Sequence, residues 1–226
     1  MLDPVLNSPF FGLTLTAAAW CFGCWVQNKT RFLLCNPLLI AVALVIAVLS
    51  VFRIPYETYS IGGDFIKLML GPVTAVLALN IYNQRDILKE HFLPVLPGCL
   101  VASLTIVGSI LALCKLFHVD EALTASLMPK SVTTAIAMGI AESHGGVAGI
   151  SAAAVMVAGI TGAVFAPIFA KLFHIKEPVA EGLAICACSH ALGTPRALEI
   201  GKIQGAMSSI AICVCGILTS LLALFL

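Results

Sequence analysis

Long apolar stretches separated by short polar connections run through the whole chain. Eight hydrophobic segments can be marked, at about residues 4–28, 33–52, 65–82, 93–117, 122–141, 147–173, 179–201 and 204–226. A helix needs roughly 20 residues to cross the ~30 Å hydrocarbon core of a bilayer. The pattern therefore predicts an all-α integral membrane protein with a single transmembrane domain over residues 1–226 and no soluble domain.

Three of the eight segments are interrupted near their middles by residues that disfavour a helix. The interruptions are Gly71-Pro72, Pro129-Lys130 and Gly193-Thr194-Pro195. Backbone groups freed at such breaks are costly in hydrocarbon and are tolerated only where they line a cavity or are buried in protein. We therefore predict three broken or re-entrant helices around a central cavity, an arrangement that marks binding sites in transporters.

The composition agrees with a membrane location and narrows the possible functions. Hydrophobic residues make up 60% of the chain and charged residues only 10%, with a net charge of +1. We find no basic patch for nucleic acid.

The nine cysteines lie in or beside apolar runs, where a free thiol behaves as a small hydrophobe. No metal-ligand spacing and no positioned nucleophile with its base is found, so we predict no metal, no cofactor and no enzymatic activity.

The start of the chain favours a first segment that stays in the membrane. The stretch MLDPVLNSPFFG carries an acidic residue and no Lys or Arg before the first apolar run, unlike a cleavable signal peptide. The distribution of Lys and Arg between the loops weakly favours an N-terminus outside the cytoplasm.

Each interrupted segment restarts with side chains that suit an anion. The first turn of a helix offers free N–H groups and the positive end of the helix dipole, and hydroxyl side chains add further donors. Two restarts also carry a cation, and a charge near the bilayer centre indicates a functional site by default. The predicted substrate-binding residues are Pro72, Thr74, Lys130, Ser131, Thr133, Thr134, Thr194 and Arg196.

Both cations have an alternative role in internal ion pairs. Arg196 and Glu199 are three residues apart on one helical face and are able to pair. Lys130 has possible partners in Glu142 and Glu181.

Three further residues are candidates for proton coupling or gating, namely His190, Glu142 and Glu199. Histidine exchanges a proton near neutral pH, but His190 is equally well explained as a hydrogen-bonded histidine inside the bundle or an organiser of the turn at Gly193. Glu142 ends the fifth segment, so a simple helix stop is its alternative role.

Three motifs together resemble one family of bacterial membrane proteins, the LrgB/CidB family. The motifs read GPVTAVLALNIY, MPKSVTTAIAM and SHALGTPRALEIGKIQGAMSSIA. The positions that match the family's motifs are Gly71, Pro72, Thr74, Pro129, Lys130, Ser131, Thr133, Thr134, Ser189, His190, Gly193, Thr194, Arg196 and Glu199. The chain departs at Ala135, where many relatives have proline, and at Pro195, where many have alanine.

The resemblance implies two functions, and both stay open at this point. One is secondary transport of small monocarboxylates such as glycolate, glycerate or pyruvate, as implied by a related plastid protein and some bacterial relatives. The other is antiholin-like or holin-like control of murein hydrolase activity and cell lysis, together with a small LrgA/CidA-type membrane partner. Either way we expect a multi-pass protein of the bacterial inner membrane, in contact with lipid. Small-residue helix faces, at Gly159, Gly162 and Ala166 for example, favour a homodimer or tight packing within the bundle.

Overall fold

The computed structural model describes residues 6–30, 37–83 and 85–226, which form helices and contain no strand. The helices are α1 Pro9–Thr30, α2 Pro37–Val51, α3 Tyr56–Leu68, α4 Leu70–Asn83, α5 Arg85–Glu90, α6 Phe92–Leu116, α7 Glu121–Leu127, α8 Thr134–Ser143, α9 Ala148–Leu172, α10 Pro178–Ile200 and α11 Lys202–Ala223. Within these residues, α1, α6, α9 and α11 are long and apolar enough to cross a membrane. The prediction of an all-α protein is confirmed for the described residues, and four of the helices have the length and apolarity that a membrane span needs. The count of eight segments stays a prediction.

The chain forms two compact units, residues 1–74 and 75–226. The described part of the first unit packs α1 against α2 through a small apolar core of Ala19, Ala41 and Val45. Tyr59 of α3 adds a partly buried hydrogen bond, because its hydroxyl lies 2.8 Å from the hydroxyl of Thr16 on α1. The three helices therefore share one core.

Two glycines allow α1 and α3 to cross in direct backbone contact. A Cβ atom built on Gly12 would lie 2.5 Å from the Tyr59 carbonyl oxygen and 2.9 Å from the Gly62 Cα atom. A Cβ atom on Gly62 would lie 2.7 Å from the Gly12 Cα atom and would also clash with the Pro9 carbonyl oxygen. Backbone atoms cannot turn away as a flexible side chain can, so this crossing requires glycine on both helices.

Replacing Gly62 with alanine should lower the free energy of unfolding by about 1–3 kcal/mol, because the helices must separate to admit the methyl group. Gly63→Ala is a matched control, since its added Cβ would lie at an ordinary 3.8 Å from the Tyr59 ring. Alanine in a helix interior gains about 0.5–1 kcal/mol over glycine, so the control should be neutral or stabilising. Unfolding titrations of both variants in mixed micelles measure the difference, and equal stabilities would refute the close crossing.

The second unit is organised around α11. Its buried side chains include Met207, Ile210 and Ala211, which pack with Val95 of α6 and Cys186 of α10. Just over half of the apolar window of α11 is buried, whereas the corresponding windows of α6 and α9 are about one-fifth buried. The outer faces of α6 and α9 are therefore the ones available to lipid.

Between α7 and α8 the helix is interrupted over residues 128–133. Asp120 caps the N-terminus of α7 by accepting a hydrogen bond from the Leu123 N–H at 2.8 Å. Ser126, fully buried, accepts a hydrogen bond from the Val147 N–H at 2.7 Å and so ties α7 to the start of α9. The interruption includes Pro129 and Lys130, where we expected one.

The other two interruptions lie elsewhere than the sequence positions that we proposed. One helix ends and the next begins at Met69, between α3 and α4, so Gly71 and Pro72 lie in the first turn of α4. In α10 the non-helical residue is His190, with φ 40° and ψ −134°, rather than residues 193–195. A proline disturbs the carbonyl four residues before it, and for Pro195 this is Ala191, next to His190.

Candidate functional site

Lys130 lies in the interruption between α7 and α8 with one polar contact. Its Nζ atom donates to the Ser131 hydroxyl oxygen at 3.2 Å. In the part of the chain that the structure describes, no carboxylate lies within 4.0 Å of this ammonium group, and the ion pairs there join other residues. The predicted alternative of a pair with Glu181 is not formed, because the Glu181 carboxylate accepts a hydrogen bond from Gln204 instead, at 3.0 Å.

Lys130 and Ser131 line a groove of about 870 Å³ that follows α9, here called the α9 groove. Its walls come from α6, α7, α9, α10 and the interruption itself: Ile106, Leu127, Lys130, Ser131, Ile150, Ala153, Ala154, Val157, Ala158, Thr161, Gly162, Phe165, Ala166, Phe169, Ala187 and Cys188. Most of these side chains are apolar. The groove thus offers one cation and a few weak polar groups on a hydrocarbon-like surface.

The first turn of α8 carries the two predicted threonines in different environments. Thr133 is the N-cap residue and is buried, yet its hydroxyl has no hydrogen-bond partner within the described chain. Thr134 is the first helical residue and is exposed. Neither lines the α9 groove, so the structure brings only Ser131 to Lys130 among the hydroxyls of this motif.

His190 is buried at the distorted turn of α10. Its Nε2 atom lies 2.9 Å from the Val155 carbonyl oxygen on α9, and its Nδ1 atom has no partner in the described residues. Gly159 makes room for the ring, since a Cβ atom there would lie 2.7 Å from His190 Nε2. This geometry fits a histidine hydrogen-bonded inside the bundle. The proton-coupling role stays a prediction.

Arg196 faces a carboxylate of its own helix. Its guanidinium forms an ion pair with Glu199 at 2.5 Å, and both side chains are substantially exposed. Thr194 bonds across to α11, where its hydroxyl lies 2.9 Å from that of Ser208. Since neither Arg196 nor Thr194 lines the α9 groove, the structure does not join them to Lys130 in that site.

The remaining candidate residues are Pro72, Thr74 and Glu142. Pro72 is exposed in α4, and the side chain of Thr74 is outside the described residues. Glu142 is exposed in the last turn of α8. Roles for these residues in substrate binding or gating stay predictions.

Two polar or weakly polar residues of the groove were not predicted as site residues from the sequence, namely Thr161 of α9 and Cys188 of α10. Thr161 carries a usable signal, because it is one of very few polar residues inside an apolar span. Cys188 carries none, since a cysteine in an apolar helix is ordinarily a small hydrophobe. Among the described residues, no cluster of His, Cys, Asp or Glu is able to hold a metal ion.

Comparison with known proteins gives a consistent match along most of the chain. The sequence matches the LrgB-like family over residues 16–226. It is 36% identical over 215 residues to Antiholin-like protein LrgB of Bacillus subtilis (strain 168), covering 95% of this chain and 93% of the relative. It is 34% identical over 213 residues to Antiholin-like protein LrgB of Bacillus mycoides (strain KBAB4), covering 94% and 93%. No solved structure matches the chain.

Proposed function

Because the chain belongs to the LrgB-like family, we propose that it is an antiholin-like protein that restrains murein hydrolase activity and cell lysis. The observation that carries the proposal is the extent of the match. Relatives named as antiholin-like are 34–36% identical over 94–95% of the chain, with no large segment of either protein left over. The family resemblance inferred from the three motifs is thereby confirmed.

The proposed setting is the bacterial inner membrane, crossed several times by a single transmembrane domain without enzymatic activity. Four described helices have the length and apolarity for crossing, and large apolar side chains such as Trp20, Phe165 and Phe169 are about half exposed. Exposed apolar side chains at this density are unfavourable in water and favourable in lipid. We further propose assembly with a small LrgA/CidA-type membrane protein and a homodimer.

The antiholin-like proposal is tested in Bacillus subtilis lacking its own LrgB relative. Expression of this chain should slow detergent-induced autolysis and lower murein hydrolase activity in zymograms of the cell wall fraction. The control is the same strain with the empty vector. Unchanged lysis, with the protein shown to be in the membrane fraction, would contradict the proposal. Adding an LrgA-type partner in a second strain tests whether assembly is required.

A second function, transport of monocarboxylates such as glycolate, glycerate and pyruvate, is favoured by Lys130. A cation in an interrupted membrane segment is costly unless a negative charge meets it, and no described carboxylate does. In this proposal Lys130, in the interruption between α7 and α8, neutralises the carboxylate of the substrate and Ser131 donates to it. Thr133, Thr134 and Thr194 would complete the polar surface in the state that carries substrate, with His190 or Glu142 exchanging a proton, while Arg196 stays paired with Glu199.

Transport is tested with the purified chain in liposomes. Saturable uptake of labelled glycolate, glycerate or pyruvate would support it. No uptake with the chain alone or with its small partner would leave the antiholin-like function as the one supported.

A further inference from the structure

The charge of Lys130 is not balanced within the part of the chain described. The ammonium group has three donor hydrogens and one observed acceptor, the Ser131 hydroxyl. The side chain is half-buried on the wall of the α9 groove. A desolvated cation of this kind is stabilised by an anion that brings its own charge-assisted hydrogen bonds.

The surface around Lys130 is suited to a hydrocarbon chain. Apart from Lys130, Ser131, Thr161 and the weakly polar Cys188, the groove is lined by aliphatic and aromatic side chains and one glycine. Beyond Lys130 and Ser131 this wall offers few partners to a polar group, and a buried polar group without a partner is costly. An apolar chain carries no such cost.

The groove is also much longer than a two- or three-carbon acid. Its α9 wall extends from Ile150 to Phe169, which corresponds to about 28 Å at ~1.5 Å per residue. Cys188, which lines the groove with Lys130, lies beside Gly162, because a Cβ atom on Gly162 would clash with the Cys188 carbonyl. The groove thus combines one cation with an apolar wall several times longer than a small acid.

We infer that the α9 groove binds a carboxylate with a long apolar chain, a fatty acid anion. Its carboxylate meets Lys130 and Ser131, and its chain lies along α9 between Ala154 and Phe165. The inference rests on the anion site of the proposed transport function and adds to its ligands an acid with a long apolar chain, beyond the small acids named above. A phospholipid is the competing occupant, and the test below supplies it in excess as phosphatidylcholine.

Photolabelling of the full chain in phosphatidylcholine nanodiscs tests this inference. The probe is palmitic acid with a diazirine in its chain, and mass spectrometry measures the label on residues 148–172. Excess palmitate should displace it and excess hexadecanol, of equal chain length but uncharged, should not. Lys130→Met should lower the labelling at least about tenfold, the loss expected for a charge-assisted bond, whereas Lys130→Arg should retain most of it. Ala158→Phe, which fills the groove without touching the charge, should also lower it.

Other outcomes would refute the inference, and they can be told apart from a failure of the proposed transport function. Equal displacement by acid and alcohol, or labelling unchanged in Lys130→Met, means that the groove holds membrane lipid without regard to charge. Absence of label on residues 148–172 in the folded wild-type chain means that no fatty acid occupies the groove. Uptake of pyruvate or glycolate without palmitate labelling leaves the transport proposal standing and the inference refuted. Labelling without uptake of the small acids does the reverse. Helix content and elution volume of each variant show that it is folded.

Discussion

Replacing Gly162 with alanine should lower the free energy of unfolding by about 2–4 kcal/mol, combining steric strain with loss of a buried hydrogen bond. The added Cβ would lie 2.6 Å from the Cys188 carbonyl carbon and 2.8 Å from the Ser189 Cβ. Both belong to the turn that precedes His190, so α9 and α10 must move apart. That movement also lengthens the 2.9 Å bond between His190 and the Val155 carbonyl.

Gly149→Ala is the matched control on the same helix, because nothing lies within 4 Å of its added Cβ. Gly149 lies in the first turn of α9 and gains less helix propensity than the interior Gly162, so the difference between the variants is a lower bound on the contact with α10. Unfolding of the purified variants is followed by circular dichroism during titration with sodium dodecyl sulfate in mixed micelles. If Gly162→Ala unfolds at the same detergent fraction as Gly149→Ala, the close approach of α9 to α10 is wrong.

The sequence predicted part of this contact between α9 and α10. Gly159 and Gly162 stand three apart in an apolar span, and small residues at helical spacing predict a tight packing face. The structure confirms that face and identifies its partner as α10. The partner was not predictable, since spacing along one helix carries no information about which other helix lies against it.

The interruptions show the same limit of sequence reasoning. The gap at residues 128–133 contains the proline and the charge, which are both unfavourable in a membrane helix. Pro195 disturbs the carbonyl of Ala191, and the non-helical residue of α10 is its neighbour His190 rather than residues 193–195. The burial of that ring against Gly159 and its bond to Val155 are tertiary contacts that hold the turn there.

Both cations were candidates in the sequence for substrate binding or for an internal ion pair, and they differ in the structure. Each lies in an interrupted segment near a hydroxyl residue, Lys130 directly before Ser131 and Arg196 two residues after Thr194. Arg196 has a carboxylate three residues away and pairs with it, while Lys130 meets only a hydroxyl. The helical spacing permitted the first pair, but only the course of the chain around residues 128–133 shows that no described carboxylate comes close to Lys130.

Lys130→Glu should reduce monocarboxylate uptake in liposomes by at least about 30-fold, under the proposed transport function. Two unit charges about 4 Å apart interact by roughly 4 kcal/mol at an effective dielectric constant of about 20. Reversing the sign replaces attraction with repulsion, and even half of that energy corresponds to about 30-fold in affinity. The measurement is the initial rate of uptake of whichever labelled acid the wild-type chain accumulates, with Lys130→Arg beside it to retain the charge.

Arg196→Gln is the matched control, because it removes a cation from the same kind of motif. Its ion pair with Glu199 is exposed on both sides, and an exposed pair contributes up to about 1 kcal/mol. Uptake by this variant should therefore fall by less than about fivefold. The opposite ranking, with Arg196→Gln inactive and Lys130→Glu active, would move the anion site from the α9 groove to the C-terminal half of α10. Equal, small effects of both substitutions would mean that neither cation meets the substrate, and that the charge of Lys130 serves assembly instead.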